Sequence, residues 1–385
     1  MDVKTAFLNG NLEEEIYMMQ PEGFIAKNQE DMVCKLKRSI YGLKQASRSW
    51  NIRFDQTIKS FGFEQNLDEP GVYKRHRDKV VMFLVLYVDD ILLIGNDVRV
   101  MSSVKVWLSS LFDMKNLGEA NFILGIKLWR DRKNKMLGLS QAGYIDKVLE
   151  RFSMQNSKKG LLHFRHGVPL SDDQRPKTHE EENMMRQVPY ASVIGSLMYV
   201  MLCTRPNICY SVGMVNRYQL NPRPKHWQAV KHILKYFRRM RDYMLVYRCE
   251  DLILIGYTDS EFQLDLDFKK FTLGCVFTLG GGAITWRSVK QSCIADSIME
   301  VKYVAACEVA KEVVWLKKFL SNLGVVRMEQ VLITLFCDNN GAVAQSKDPR
   351  NHNDCRCEIY YSPNDCRMNN KSHDFYLHEL LILRE

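Results

Sequence analysis

The stretch VMFLVLYVDDILLIG, residues 81–95, decides the fold of the first part of the chain. Two apolar runs, Val81–Val88 and Ile91–Gly95, are separated only by Asp89 and Asp90, and apolar runs two residues apart predict a β-hairpin. Ionised carboxylates held side by side at such a tip repel one another. Either solvent or a divalent cation answers that repulsion, and the dipeptide alone leaves both readings open.

Outward from the hairpin, Trp50, Ile52, Phe54, Ile58 and Phe61 recur at helical spacing and predict a helix over 49–61, approached through YGLKQAS. A second helix is expected over 104–112, ending before DMKNLG, where Gly118 marks a turn. Residues 154–187 are dense in charge and carry Pro169 and Pro176, which reads as a connector. Two helical patterns follow, over 188–206 and 226–240. The second presents Lys231, Lys235, Arg238 and Arg239 on one face, either as a solvated surface or as a nucleic-acid contact. His226 and His232 read as surface or core histidines, not as metal ligands.

From Leu252 the period changes. LILIGYT runs as a strand to Asp259, FTLGCVFTL and AITW form a hairpin across Gly280, Gly281 and Gly282, and Val331–Asp338 is a further strand. Between them Val301, Ala305, Val309, Val313, Leu316 and Leu320 give a long helix one apolar stripe. Strand, hairpin, helix and strand make an α/β plan with a mixed sheet.

The 385 residues suffice for two or three globular units, and 46% hydrophobic with 26% charged residues excludes a disordered chain. A net charge of +9 suits a polyanionic partner but is common among soluble proteins. No apolar run approaches the roughly 20 residues that span a bilayer, so no membrane partner is expected. The opening Asp2 and Lys4 do not resemble a secretory signal, and eleven cysteines without paired spacings favour a reducing compartment, cytoplasmic or nuclear. Cys355, Cys357 and Cys366 cluster without the CxxC or His spacing that zinc requires.

Four blocks in fixed order carry a resemblance. They are DVKTAFLNGNLEEEIYMMQPEGF (2–24), VCKLKRSIYGLKQASRSW (33–50), YVDD (87–90) and FDMKNLGEANFILGIKL (112–128). Together they resemble the reverse transcriptase of copia-type LTR retrotransposon polyproteins. The resemblance implies an α+β palm with an antiparallel sheet and helices over 1–153, a linker and helical connection over 154–250, and a ribonuclease H-like α/β domain with a mixed sheet over 251–385. It also implies that Asp2, Asp89 and Asp90 hold two Mg2+ ions, or Mn2+, with Tyr87 beside the primer end. Lys44, Gln45 and Arg48 would lie near the template and the incoming nucleotide; Ser47 stands where the family usually has proline.

YTDSEF (257–262), FTLGGGAITWRSVKQ (277–291), SIMEVKYVAA (297–306) and LFCDNNGAV (335–343) resemble the ribonuclease H part of the same polyproteins. The resemblance implies that Asp259, Glu300 and Asp338 bind two metals there and cleave RNA in an RNA–DNA hybrid. Glu261, Phe262 and Lys302 depart from the pattern, and Glu358 is a remnant of a fourth acidic position. Because the chain opens at the first catalytic block, without an upstream fingers region, an RNA-directed DNA polymerase and ribonuclease H fragment with impaired catalysis is expected. Its partners would be an RNA template, an RNA–DNA hybrid, a DNA primer and deoxynucleoside triphosphates, in an oligomeric state the sequence does not specify. The alternatives are a non-catalytic nucleic-acid-binding relic, or a metal-dependent ribonuclease with a structural polymerase half.

Overall fold

The computed structural model describes residues 1–25, 29, 31–163, 170–171, 174, 178–249, 252–261, 267, 270–291, 295, 297–324, 333–347, 357–361 and 382–384. It forms two compact units, one of residues 1–120 with 318–326 and one of 121–317 with 327–385.

In the first unit β1 (Asp2–Val3) is followed by a hairpin of β2 (Tyr17–Met19) and β3 (Val33–Lys35), then helix α1 (Ala46–Ser60). Next come β4 (Glu64–Gln65), β5 (Val72–Arg77), β6 (Val80–Tyr87), β7 (Asp90–Gly95), helix α2 (Val98–Leu111) and β8 (Met114–Lys115). The main sheet runs β4-β5-β6-β7-β1-β8, and every pairing in it is antiparallel. Strand side chains alternate between faces. One face supplies Val3, Met82, Leu84 and Ile91 to a core filled by Trp50, Phe54 and Ile58 of α1 and Val104 and Leu108 of α2. Both helices therefore cover the same face of the sheet. The hairpin differs from the sequence reading by one residue: the tight turn is Val88–Asp89, and Asp90 belongs to β7, paired with Tyr87. α1 starts three residues earlier than its apolar spacing indicates, and α2 six earlier, where the Asp97 side chain accepts from the Arg99 and Val100 amides at 2.8 and 3.0 Å.

The second unit opens with β9 (Phe122–Ile123), β10 (Ile126–Asp131), β11 (Met136–Ser140) and α3 (Ala142–Arg151). Helices α4 (His179–Arg186), α5 (Tyr190–Thr204), α6 (Cys209–Asn216) and α7 (Pro224–Met240) follow. Strands β12 (Tyr243–Arg248), β13 (Leu254–Glu261), β14 (Thr272–Leu279) and β15 (Gly282–Lys290) lead to α8 (Ile298–Leu323), β16 (Ile333–Cys337), α9 (Asn340–Ser346), β17 (Cys357–Tyr361) and β18 (Ile382–Arg384). One sheet runs β18-β12-β11-β10-β9 and the other β15-β14-β13-β16-β17. In the latter, β13 pairs in parallel with β16 and β16 with β17, while β13, β14 and β15 are antiparallel. Gly280 and Gly281, at φ 59° and 77°, turn β14 into β15 through backbone angles that a two-residue hairpin demands.

A division at residues 153 and 250 does not coincide with these units. β10 and β11 precede the charged connector in sequence, yet β11 pairs with β12, Leu137 opposite Tyr247, which draws 121–153 into the second unit. The core of α3, α5, α6 and α7 buries Ile145, Val193, Leu197, Val212, Ile233 and Phe237. Among the described residues no single helix is long and apolar enough to cross a membrane, though α4 and α5 pass that test together as a pair bent by 49°.

Candidate functional site

The first site is assembled from three separated segments. β1 lies between β7 and β8, so that Asp2 stands opposite both Asp90 and Lys115. The Val3 amide donates to the Asp89 carbonyl at 2.9 Å, and the Ile91 amide to the Met1 carbonyl at 2.8 Å. After β1 the chain makes a short turn to Gly10, which rests on α1: a Cβ there would meet the Ser49 Cβ at 2.8 Å and the Trp50 nitrogen at 2.9 Å. Only glycine permits that approach. Trp50 in turn donates its indole N–H to the Val88 carbonyl at 2.6 Å. Val88 has φ 57°, a strained backbone for a β-branched residue, and such strain persists where the surroundings hold it. The Trp50 and Val3 hydrogen bonds on either side of the turn do so.

Residues directly opposite in an antiparallel pair share a face. Tyr87, Asp90, Asp2 and Lys115 therefore form one row across β6, β7, β1 and β8, on the face turned away from the core. Burial first, then the charges of Asp89 and Asp2, raise the Asp90 carboxyl above its ordinary value. Negative charge thus gathers around Asp90. Lys115 is a neighbour the sequence reading missed; its only signal is the alternation of DMK beside β1. Lys44 and Arg48 are exposed at the start of α1, and Gln45 donates to Glu14 at 3.2 Å.

The second site lies where the parallel pairing of β13 with β16 ends. Thr258 and Cys337 are the last partners of that parallel pair, so Asp338 follows directly on β16 while Asp259 stands beside it, still within β13 and opposite Gly274 of β14. Between them stands Lys302 of α8, whose ammonium donates to Asp259 Oδ1 at 3.0 Å and also to Asp338 Oδ1. The lysine side chain is 12% exposed and Asp259 6%. Burial acts to lower the Lys302 pKa, but Asp259 and Asp338 outweigh it and the net shift is upward.

Glu300, which the resemblance offered as third ligand, is exposed in the first turn of α8. Two residues from Lys302, it is turned about 200° around the helix from it. The correction is a matter of helical phase: position 302, not 300, faces the two aspartates, and it holds a lysine. Among the described residues no three His, Cys, Asp or Glu side chains stand together as a metal site. Cys355 and Cys366 lie outside the described residues, as do the side chains of Cys357 and Glu358.

His226 is fully buried and stacks on Tyr218 with ring centroids 3.9 Å apart, so it is a core histidine. His232 is half-buried on the same helix.

Residues 1–162 match the family described as reverse transcriptase (RNA-dependent DNA polymerase). The chain is 47% identical over 353 residues to the retrovirus-related Pol polyprotein from transposon TNT 1-94 of Nicotiana tabacum, a match covering 91% of this chain and 26% of that protein. It is 31% identical to the Pol polyprotein from transposon RE2 of Arabidopsis thaliana, across 91% of this chain and 24% of the relative. The chain thus spans about a quarter of the length of these polyproteins. A transposon Ty5-1 protein of Saccharomyces cerevisiae is 31% identical over 315 residues, 81% of this chain and 100% of its own length. From these matches, the chain belongs to the copia-type, retrovirus-related Pol polyproteins of transposons, and its first part is a reverse transcriptase domain.

Proposed function

We propose that the first unit performs RNA-templated addition of deoxynucleotides to a DNA primer at the face bearing Asp2, Asp89 and Asp90. The observation that carries this reading is the cross-strand row Tyr87–Asp90–Asp2, held over a rigid helix-backed sheet and beside a strained turn. Mg2+, or Mn2+ in its place, would neutralise charge on the primer 3′-oxygen and the triphosphate when bound. Mg2+ is usually held by one or two carboxylates together with substrate phosphates, so Asp2 and Asp90 are an adequate protein share, with Asp89 adjacent. Tyr87 offers an exposed ring next to Asp90, suited to support the primer terminus. Lys44, Gln45 and Arg48 offer charge and hydrogen bonds to the template and nucleotide phosphates.

The second unit reads as ribonuclease H-like. Its sheet order β15-β14-β13-β16-β17, with Asp259 and Asp338 next after the last partners of the parallel pair, supports that reading. The exposed Lys231 and Arg239 of α7 supply positive charge for an RNA–DNA hybrid. Lys302 between the two aspartates favours hybrid binding without cleavage in this unit.

Primer extension on a primed RNA template tests the polymerase reading. Extension should require Mg2+ or Mn2+ and should fall at least about 100-fold in Asp90→Asn, since the carboxylate positions the charge that stabilises the transition state. Equal extension by the wild-type chain and Asp90→Asn would place the reaction elsewhere.

A further inference from the structure

Asp259 and Asp338 directly follow Thr258 and Cys337, the last partners of the parallel pair β13–β16, with Asp338 just past the carboxyl end of β16, where α/β proteins commonly bind ligands, and Asp259 beside it in β13. Two carboxylates so placed, one of them almost wholly buried, require a cation. We infer that the Lys302 ammonium is the resident cation of this site, so that the second unit folds without a divalent metal and has no seat for one between Asp259 and Asp338.

The argument is geometric. A Mg2+ ion bridging the two carboxylates needs their oxygens at about 2.1 Å from its centre. The Lys302 nitrogen already occupies the bridging position, in hydrogen-bond contact with one oxygen of each. It is not a mobile surface group that could step aside, because its side chain is 12% exposed and its partner Asp259 only 6%. The helix phase also holds it there. Ala305, Ala306 and Val309 follow Lys302 at three, four and seven residues and are all buried, so the face that carries Lys302 is the face that packs inward. Glu300, by contrast, is followed at seven residues by the exposed Cys307.

Charge decides the outcome as well as space. Two aspartates and one lysine leave the cluster with a single net negative charge, too little to attract a divalent ion past a buried ammonium. A carboxylate at 302 would leave three negative charges facing one another and would require a metal. The lysine therefore has a structural use: it ties β13 and the end of β16 to α8. The inference rests on the ribonuclease H-like reading only for the activity forgone, hydrolysis of RNA in a hybrid. Filter binding of a labelled RNA–DNA hybrid tests that reading separately and does not depend on where metal binds.

The test uses the full chain in an Asp89→Asn/Asp90→Asn background, which removes the metal-binding face of the first unit. Free Mn2+ is followed by electron paramagnetic resonance during titration, and melting by circular dichroism with and without Mn2+. With Lys302 present, no bound Mn2+ that depends on Asp259 is expected, and melting should be indifferent to Mn2+ and to chelator. Lys302→Glu should gain one bound Mn2+ per chain, lost again on adding Asp259→Asn, and its melting temperature should rise with Mn2+. If Lys302→Glu is unfolded without metal, recovery of its helical signal on adding Mn2+ supports the inference equally. Bound Mn2+ in the Lys302 chain that disappears in Asp259→Asn overturns it. So does a folded Lys302→Glu chain that binds none, and the first of these results needs no variant at position 302.

Discussion

At Asp90 two demands conflict. The side chain is held beside Asp89 and Asp2, and burial first, then those two charges, raise its proton affinity. A carboxyl whose folded pKa is raised binds more protons in the fold than in the open chain, so its repulsion is absent at low pH and grows as pH rises through the raised value. Asp90→Asn should therefore raise stability at pH 7, by roughly 0.5 kcal/mol after solvent screening, and leave it nearly unchanged near pH 4. Chemical denaturation at the two pH values checks this, and a loss of stability at pH 7 would mean the carboxylates do not repel. His226 behaves in the opposite sense. Burial, then the neighbouring Arg223, push its pKa down from 6.5 to about 4. The open chain then takes up a proton that the fold refuses, so the fold's stability is fully present above pH 6.5 and is lost as pH falls toward 4, by roughly 3 kcal/mol at the lower end. His226→Phe, which keeps the stack on Tyr218, should flatten the stability profile across that window in an acid titration followed by fluorescence.

At the scale of elements, the ends of helices separate what the sequence discloses from what it hides. The apolar stripe of α8 is legible, and Val301, Ala305, Val309, Val313, Leu316 and Leu320 are all buried as that stripe requires. The start of α2 is not, because Val98–Ser103 carries little apolar periodicity and the helix is begun by the Asp97 cap. Replacing that cap, Asp97→Ala, should cost about 1 kcal/mol in thermal unfolding of the first unit. Arg205 was equally hidden. It is fully buried, and its guanidinium donates to the Met240 and Tyr243 carbonyls at 3.1 and 2.6 Å, closing the C-terminal end of α7. Arg205→Met should destabilise the second unit by about 3 kcal/mol, since it strips charge-assisted bonds from buried carbonyls. A change below about 0.5 kcal/mol in urea denaturation would show that water satisfies those carbonyls instead. The YVDD hairpin was legible as a hairpin but not its pairing with β1, because a strand of two residues has no period to detect. In the same way, Glu300 looked like a ligand from its place in SIMEVKYVAA, while the spacing from Lys302 to Ala305, Ala306 and Val309 held the correct phase.

Across the whole molecule, the chain carries two carboxylate sites that meet their charge differently. In the reverse transcriptase domain Asp2 and Asp90 share an open sheet face with Asp89 beside them, and in the second unit Asp259 and Asp338 are closed around Lys302. The first arrangement suits substrate phosphates and divalent ions, and the second is complete without them. The most direct measurement is a single reaction on an RNA–DNA hybrid with both the DNA primer and the RNA template labelled, in Mg2+ and deoxynucleoside triphosphates. The account predicts that the primer lengthens in a manner dependent on Asp90 while the RNA strand stays whole. Release of RNA fragments that persists in Asp90→Asn and vanishes in Asp259→Asn would contradict it.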